Sequence, residues 1–315
     1  MSDKILITAR TFGTTNAGAL ALLEDAGFSC TKVDADRSPK AFLEELQESS
    51  AIILGNNPLT QEHLRQAGKL RIIAKHGSGT GNIDMDTARA MGITVTNVPT
   101  INANTMADLT FAHIMAAATG IIRADAHARR GRPFAGQEVF GKTLGFVGFG
   151  AVAQSVARRA SGFKMSLVFH DPFGENIPSE LLEKAKDASL EEVVRTSDII
   201  TVHVPLTDIT EDMLNEETLL MMKPSAVLIN LGRSDVINTA ALQKVMEQGH
   251  LFAAVLQAEP QGEEDLQSPL LGLPNTTFAP PLQSFATDTI SAVSQACAQN
   301  VLRKLSGEEP DFIII

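Results

Sequence analysis

The chain has 315 residues, 44% hydrophobic and 20% charged, which is typical of a folded protein too long for one ordinary core. A net charge of −11 and the absence of Trp and Tyr argue against nucleic acid and anionic membranes as partners, since these attract basic patches and aromatic platforms. Cys30 and Cys297 lack metal-ligand spacing and no apolar run has the length of a membrane span, so we expect a cytoplasmic protein without a metal or a disulfide.

Short β-branched runs alternate with helical patterns in the first third of the chain. The predicted strands lie at 4–8, 29–33, 51–54 and 71–74, and the predicted helices at 17–25, 39–47 and 60–66. Alternation of this kind predicts parallel strands with crossover helices on both faces of a sheet.

The pattern changes after Asn102. An Ala- and Met-rich stretch over 103–126 predicts one long helix, and a second strand–helix series starts at Lys142. The predicted strands of this series lie at 144–148, 166–170, 199–203, 227–230 and 253–256, and a last helix at 288–305. The sequence therefore predicts two doubly wound α/β domains, with the second inserted into the first.

A glycine motif, Gly148-x-Gly150-x-x-Ala153, follows the first strand of the second series and opens a helix. In a dinucleotide site, Gly148 permits a tight turn, Gly150 lets the backbone approach a pyrophosphate, and Ala153 allows close packing of helix and strand. The amides of Ala151 and Val152, at the helix N-terminus, would face the phosphates.

Asp171 lies 21 residues after Gly150, at the end of the next predicted strand. A carboxylate at this place accepts hydrogen bonds from the adenosine ribose and repels a 2′-phosphate, so the motif predicts NAD rather than NADP. The alternative is a structural glycine turn followed by a solvated aspartate.

Several further segments, in the expected order, resemble the D-isomer-specific 2-hydroxyacid dehydrogenase family of the phosphoglycerate-dehydrogenase type. These segments are 75–84, 96–99 with Asn102, 141–145, 202–207, 222–224, 228–233 and 268–275. The resemblance implies a Rossmann NAD-binding domain at 100–282, inserted into a flavodoxin-like substrate domain formed by 1–99 and 283–315. It also implies a homodimer.

The resemblance also implies roles for single residues. The amides of Ser78 and Gly79, with Asn102 nearby, would bind the substrate carboxylate. Arg233 would polarise the substrate carbonyl and clamp the carboxylate, which suits a rigid guanidinium that is always charged; the alternative is an ordinary ion-paired arginine. The residues implied to line the cofactor cleft are Pro205, Thr207 and Leu231.

The sequence departs from the family pattern where the proton donor is expected. Pro281 stands at the position of the family's histidine, and no histidine follows His250. Leu256 replaces the family's aspartate at the nicotinamide, whereas Glu259 matches the acid that tunes the histidine. Since a positioned general acid contributes about 10²–10⁴-fold in rate, the departure leaves the function open.

Three functions stay open from the sequence. The first is an NAD-dependent oxidoreductase of a small 2-hydroxy or 2-keto acid with an unidentified proton donor, for which Lys75, His76 and Glu259 are the candidates. The second, from another class, is an NAD(H)-binding sensor or partner protein with little or no turnover. The third is a reaction on a related substrate in which solvent supplies the proton.

Overall fold

The computed structural model describes residues 3–99, 101, 103–172, 174, 177–257, 268–279 and 286–315. The chain divides into two compact units. Unit 1 comprises Met1–Asn102 with Ser284–Ile315, and unit 2 comprises Ala103–Gln283. Three residues of the predicted site, Asn102, Glu259 and Pro281, lie outside the described residues.

Parallel strands and helices alternate in both units. The strands are β1 (Lys4–Ile7), β2 (Ser29–Lys32), β3 (Ala51–Leu54), β4 (Ile72–Lys75), β5 (Thr94–Thr96), β6 (Thr143–Val147), β7 (Ser166–His170), β8 (Ala185–Asp187), β9 (Ile199–Val202), β10 (Val227–Asn230), β11 (Ala253–Gln257) and β12 (Thr276–Ala279). The helices are α1 (Gly18–Asp25), α2 (Pro39–Glu48), α3 (Gln61–Gln66), α4 (Met85–Ala90), α5 (Ala103–Thr119), α6 (Ile121–Ala128), α7 (Ala151–Ala160), α8 (Ser179–Leu182), α9 (Leu190–Thr196), α10 (Glu216–Met221), α11 (Thr239–Glu247) and α12 (Thr287–Ser306).

Unit 1 is built on a five-stranded parallel sheet with the order β2-β1-β3-β4-β5. Successive side chains of a strand point to opposite faces, so Ile5 and Ile7 pack with α1 and α12, while Leu6 packs with α2, α3 and α4 on the other face. Residues 311–315 run antiparallel beside β5, where the amide of Val95 donates to Ile315 O and Val95 O accepts from the amide of Ile314.

Unit 2 is built on a seven-stranded parallel sheet with the order β12-β11-β10-β9-β6-β7-β8. Phe146 of β6 packs against α5 and α7 on one face, and Val147 packs against α9, α10 and α11 on the other. The chain enters the sheet at β6 and proceeds first toward β7 and then toward β9, so the order reverses beside β6. In open α/β sheets, ligands bind at the carboxyl ends of the strands around such a reversal.

The single long helix predicted over 103–126 is wrong. Two helices, α5 and α6, meet at Gly120 with a bend of 44°. Gly120 has a φ of 63°, a left-handed conformation that ends the first helix and that glycine adopts without strain. A Cβ at this position would collide with the Phe134 ring, so the packing of the segment after α6 fixes the break.

Strands β5, β8 and β12 were not predicted. Each has only three or four residues, and β8 buries Ala185 alone, so their sequences carry little of the apolar patterning on which strand prediction depends. Among the described residues, no single helix has the length and hydropathy of a membrane span, although the bent pair of α5 and α6 passes that test when taken together.

Candidate functional site

The glycine turn after β6 joins the carboxyl ends of three neighbouring strands of unit 2. The amide of Gly148 donates to His170 O at the end of β7 at 2.8 Å, and Gly148 has a φ of 88°. A Cβ at Gly148 would lie 2.9 Å from the carbonyl carbon of His203 and the amide nitrogen of Val204, just beyond β9. Both the backbone conformation and the close approach therefore require glycine here.

Gly150 serves a different purpose from Gly148. Its φ of −71° is open to any residue, and a Cβ built on it meets nothing within 4 Å, so the fold itself does not require glycine at this position. Open space in front of the first turn of α7 is what a diphosphate needs to approach the amides of Ala151 and Val152, at the positive end of the helix dipole. Ala153 faces the opposite way and is fully buried.

Asp171 is fixed beside the glycine turn. Its carboxylate oxygen Oδ2 accepts a hydrogen bond from the amide of Phe149 at 2.7 Å, which ties the end of β7 to the residue between the two motif glycines. The carboxylate therefore stands at the place where the ribose of a dinucleotide is recognised in this type of fold. The glycine motif and Asp171, which the sequence predicts as one site, are brought together by the structure.

The segment after β9 forms a hydrogen-bonded turn. The hydroxyl of Thr210 donates to Pro205 O at 2.6 Å, and the amide of Thr207 donates to the Thr210 hydroxyl at 2.8 Å. Pro205 and Thr207 thus lie on a turn at the same edge of the sheet as Gly148. Leu231, which follows β10, is only 7% exposed and belongs to the core beneath α5.

Arg233 lies three residues beyond β10, also at the carboxyl edge of the sheet. The buried Asn230 side chain accepts a hydrogen bond from the amide of Gly232 at 3.0 Å and donates one to Arg233 O at 2.9 Å, so the backbone that carries Arg233 is fixed. The Arg233 side chain is 53% exposed, and its guanidinium lies 3.5 Å from a carboxylate oxygen of Asp235. A half-exposed guanidinium on a fixed backbone is suited to binding an anion.

His203 is a structural residue of unit 2. Its ring nitrogen Nε2 lies 2.9 Å from the Thr201 hydroxyl, and desolvation by burial lowers the pKa of His203 to about 4. The imidazole is therefore neutral near pH 7 and is no proton donor in the manner of an imidazolium.

In unit 1, the two sequence candidates for a proton donor are both engaged. Burial lowers the pKa of Lys75 to about 8, and its Nζ donates to Gly55 O at 2.5 Å and to Asn56 Oδ1 at 3.2 Å. Burial also lowers the pKa of His76 to about 4, and its Nε2 lies 3.0 Å from the Ser294 hydroxyl. These side chains connect the ends of β3 and β4 to each other and to the first half of α12.

Ser78 and Gly79 lie on the exposed loop that follows β4. The amide side chain of Asn97, beyond β5, donates to Ser78 O at 2.8 Å. The sequence assigns no individual role to Asn97 or Asn230. Their one signal is a polar residue at the carboxyl end of a buried strand, within β10 for Asn230 and just beyond β5 for Asn97. Among the described residues, no three His, Cys, Asp or Glu side chains form a group able to hold a metal ion.

Comparisons with known proteins bear on both units. The NAD binding domain of the D-isomer specific 2-hydroxyacid dehydrogenases matches residues 111–281. A glyoxylate reductase of Korarchaeum cryptofilum (strain OPF8) is 35% identical over 90% of this chain and 88% of its own. A D-3-phosphoglycerate dehydrogenase of Methanocaldococcus jannaschii is 30% identical over 99% of this chain and 59% of its own. The structure of D-lactate dehydrogenase with NAD⁺ from Lactobacillus jensenii superposes with a TM-score of 0.83 over 99% of each chain, at 21% identity.

Proposed function

The chain belongs to the D-isomer specific 2-hydroxyacid dehydrogenase family, a family of NAD-dependent oxidoreductases, and we propose that it reduces a small 2-keto acid such as glyoxylate with NADH. The observation that supports this proposal most directly is the Gly148 turn with the Asp171 carboxylate anchored beside it. Glyoxylate is the substrate named for the relative from Korarchaeum cryptofilum. Bound NADH supplies the hydride, and the protein fixes the geometry of the transfer.

The proposed cofactor site comprises the residues at the carboxyl edge of the unit 2 sheet. Its members are Gly148, Gly150, Ala151, Val152, Asp171, Pro205, Thr207 and Leu231. The carboxylate of Asp171 accepts hydrogen bonds from the ribose and opposes a 2′-phosphate by charge repulsion, so NADH is preferred over NADPH. Leu231 supports the site from the core, because its side chain is buried.

The proposed substrate contacts are the ones that the family resemblance implies. The amides of Ser78 and Gly79, together with Asn102, bind the carboxylate of the keto acid. Arg233 donates hydrogen bonds to the carbonyl oxygen and to the carboxylate, and this polarises the carbonyl for hydride attack. Glu259 is the acidic group of the site. Hydride addition leaves an alkoxide, which takes up one proton from Glu259 or from solvent. Neither His76 nor His203 supplies this proton, because burial keeps both imidazoles neutral near pH 7.

The experiment is a kinetic one. Purified protein is mixed with NADH and a panel of 2-keto acids that begins with glyoxylate, and NADH absorbance is followed. We expect NADH oxidation above background in the wild type and its loss, by about 10²-fold or more, in Arg233→Gln. Arg158→Gln is the matched control, because Arg158 is an exposed arginine of the same unit paired with Glu180 at 3.1 Å. Equal rates in wild type and Arg233→Gln would contradict the role of Arg233.

A second candidate function is an NAD(H)-binding sensor or partner protein without useful turnover. It is favoured by Pro281 at the place where the family resemblance puts the proton-donating histidine. Saturable NADH binding with no oxidation across the whole panel would support this candidate over the enzyme. Pro281→His then separates the causes: a gain of keto-acid reduction would show that only the proton donor is lacking.

A further inference from the structure

Two consecutive peptide carbonyls of the loop after β4 are held from the same side. The amide of Val98 donates to Gly77 O at 2.9 Å, and the side chain of Asn97 donates to Ser78 O at 2.8 Å. Val98 is only 2% exposed, so the backbone from which both bonds start is anchored in the core of unit 1.

These two bonds set the direction of the neighbouring amides. In a planar trans peptide, the C=O of one residue and the N–H of the next point in opposite directions. Gly77 O shares its peptide with the amide of Ser78, and Ser78 O shares its peptide with the amide of Gly79. Because both carbonyls point toward residues 97 and 98, both amides point away from them and lie side by side. Successive N–H groups on one side of the backbone form an anion-binding concavity.

The backbone of the loop is set for this arrangement. Gly77 has a φ of 142°, a conformation that side-chain-bearing residues rarely adopt. No neighbouring atom within 4 Å forces this choice, because a Cβ on Gly77 would meet only open space. The glycine is therefore explained by the path of the loop and not by close packing.

Asn97 is held on its other side as well. The backbone amide of Asn97 donates to Phe312 O at 3.4 Å. The preceding strand β5 is hydrogen-bonded through Val95 to Ile314 and Ile315. The Asn97 side chain thus extends from a backbone that strand pairing fixes. Asn97 therefore determines the position of the loop that carries Ser78.

We propose that Asn97 is a positioning residue, which orients the Ser78–Gly79 peptide so that its amide binds the carboxylate of a 2-keto acid. This inference rests on the proposed function, in which the Ser78 and Gly79 amides are the carboxylate site. Asn97 itself touches no substrate atom. The Val98 amide orients the Ser78 amide in the same way, but this hydrogen bond comes from the backbone. Of the two orienting hydrogen bonds, only that of Asn97 comes from a side chain, so only this one is removed by a substitution.

The kinetic test compares Asn97→Ala with Asn97→Gln. Loss of one hydrogen bond that orients a binding group should raise the KM for glyoxylate about 3- to 10-fold in Asn97→Ala, with kcat and the Kd of NADH within about twofold of wild type. Asn97→Gln keeps an amide donor and should restore part of the lost affinity. Gln47→Ala is the matched control, because the exposed Gln47 side chain of unit 1 donates to Gln66 Oε1 at 3.0 Å, and its KM should stay at the wild-type value.

A binding measurement separates this inference from the proposed function. Oxamate, a carboxylate with a carbonyl that NADH does not reduce, is titrated calorimetrically into each protein saturated with NADH. Weaker oxamate binding in Asn97→Ala than in wild type supports the positioning role, even if the wild type turns over no keto acid and the proposed function fails. Equal oxamate affinities in the two proteins would overturn it, as would a wild type that binds no oxamate at all. A KM unchanged in Asn97→Ala, with only the melting temperature lowered, would reduce Asn97 to a structural tether and overturn it too.

Discussion

At the scale of single residues, burial decides which histidines can take part in proton transfer. All seven histidines of the sequence are among the described residues. Two of them, His76 before the Ser78 loop and His203 before the Pro205 turn, are held neutral by desolvation. Each is bonded to a hydroxyl group, Ser294 and Thr201 respectively. Their placement makes them packing residues whose protonation opposes the folded state.

The pH dependence of stability follows from this burial. The pKa of His203 in the folded protein is about 4, below the value of about 6.5 in an unfolded chain, so between these values the unfolded state binds more protons. The contribution of His203 to stability is complete above about pH 6.5 and is lost as the pH falls toward 4. From pH 7 to 5 the loss should be on the order of 1–2 kcal/mol.

Urea denaturation of wild type and His203→Gln at pH 7 and pH 5 checks this prediction. The glutamine has no titratable group and can still bond to the Thr201 hydroxyl, so the variant should lose less unfolding free energy on acidification than the wild type. Equal losses in the two proteins would show that His203 is protonated in the folded state at pH 5.

The spacing of the cofactor motif is a local property of the sequence, whereas the contacts of the loop after β4 are not. Gly148, Gly150 and Asp171 have a fixed spacing because a strand, a turn and a helix separate them by nearly constant numbers of residues. Asn97 and Ser78 are joined across two strands of the unit 1 sheet, and no spacing rule relates them. Their contact depends on which strands become neighbours, and this is a property of the tertiary fold.

At the scale of elements, the break between α5 and α6 is set by Gly120. The stretch over 103–126 is rich in good helix formers, and a single glycine within such a stretch does not by itself end a helix. Contact with Phe134 and the left-handed φ of 63° are what turn this glycine into a break. The break therefore depends on the segment that follows α6. It cannot be predicted from the helical stretch alone, because the contact with Phe134 forms only in the folded chain.

Gly120→Ala tests the break by the sign of its effect. Within a continuous helix, alanine would stabilise the protein by about 0.5–1 kcal/mol. At a left-handed position closed by an aromatic ring, we instead expect a loss of about 1–3 kcal/mol of unfolding free energy, measured by urea denaturation. Gly162→Ala is the control, because no atom lies within 4 Å of the added Cβ and φ is not positive; it should stay within about 0.5 kcal/mol of wild type. An increase in the unfolding free energy of Gly120→Ala would contradict the break and support one continuous helix over 103–126.

The remaining elements show the same division between local and tertiary information. The apolar strands β1, β3 and β6 were predicted from β-branched and leucine runs, because buried parallel strands are apolar throughout. Strand β8 exposes Lys186 and Asp187 and becomes a strand only through its pairing with β7. Such edge strands cannot be distinguished from loops until their partner is known.

At the scale of the whole molecule, exposed apolar side chains bear on assembly. Ile121 and Ile122 at the start of α6 are 62% and 57% exposed, and large apolar residues that face water next to each other are typical of an interface. This supports the homodimer that the family resemblance implies, with α6 in the contact. In a symmetric dimer, the same patch is used by both copies.

The double variant Ile121→Lys, Ile122→Lys should then sediment as a monomer under conditions in which the wild type sediments as a dimer, because each interface would bury four new charges. Leu182→Lys is the control, as Leu182 is 51% exposed on α8 and should leave the dimer intact. Sedimentation velocity distinguishes the species. A wild type that is monomeric, or a double variant that stays dimeric, would exclude α6 from the contact.

The strand pairing of residues 311–315 has a consequence for colloidal behaviour. Both the amide and the carbonyl of Val95 are hydrogen-bonded to this short segment. The β5 edge of the unit 1 sheet therefore has few free backbone groups with which a strand of another molecule can pair. An uncovered margin of this kind recruits strands from other molecules and seeds cross-β aggregates. Proteolytic cleavage in the exposed stretch around Glu308 and Glu309 would free residues 311–315 to dissociate from β5. The unpaired edge of β5 would then be open to pairing with strands of other molecules.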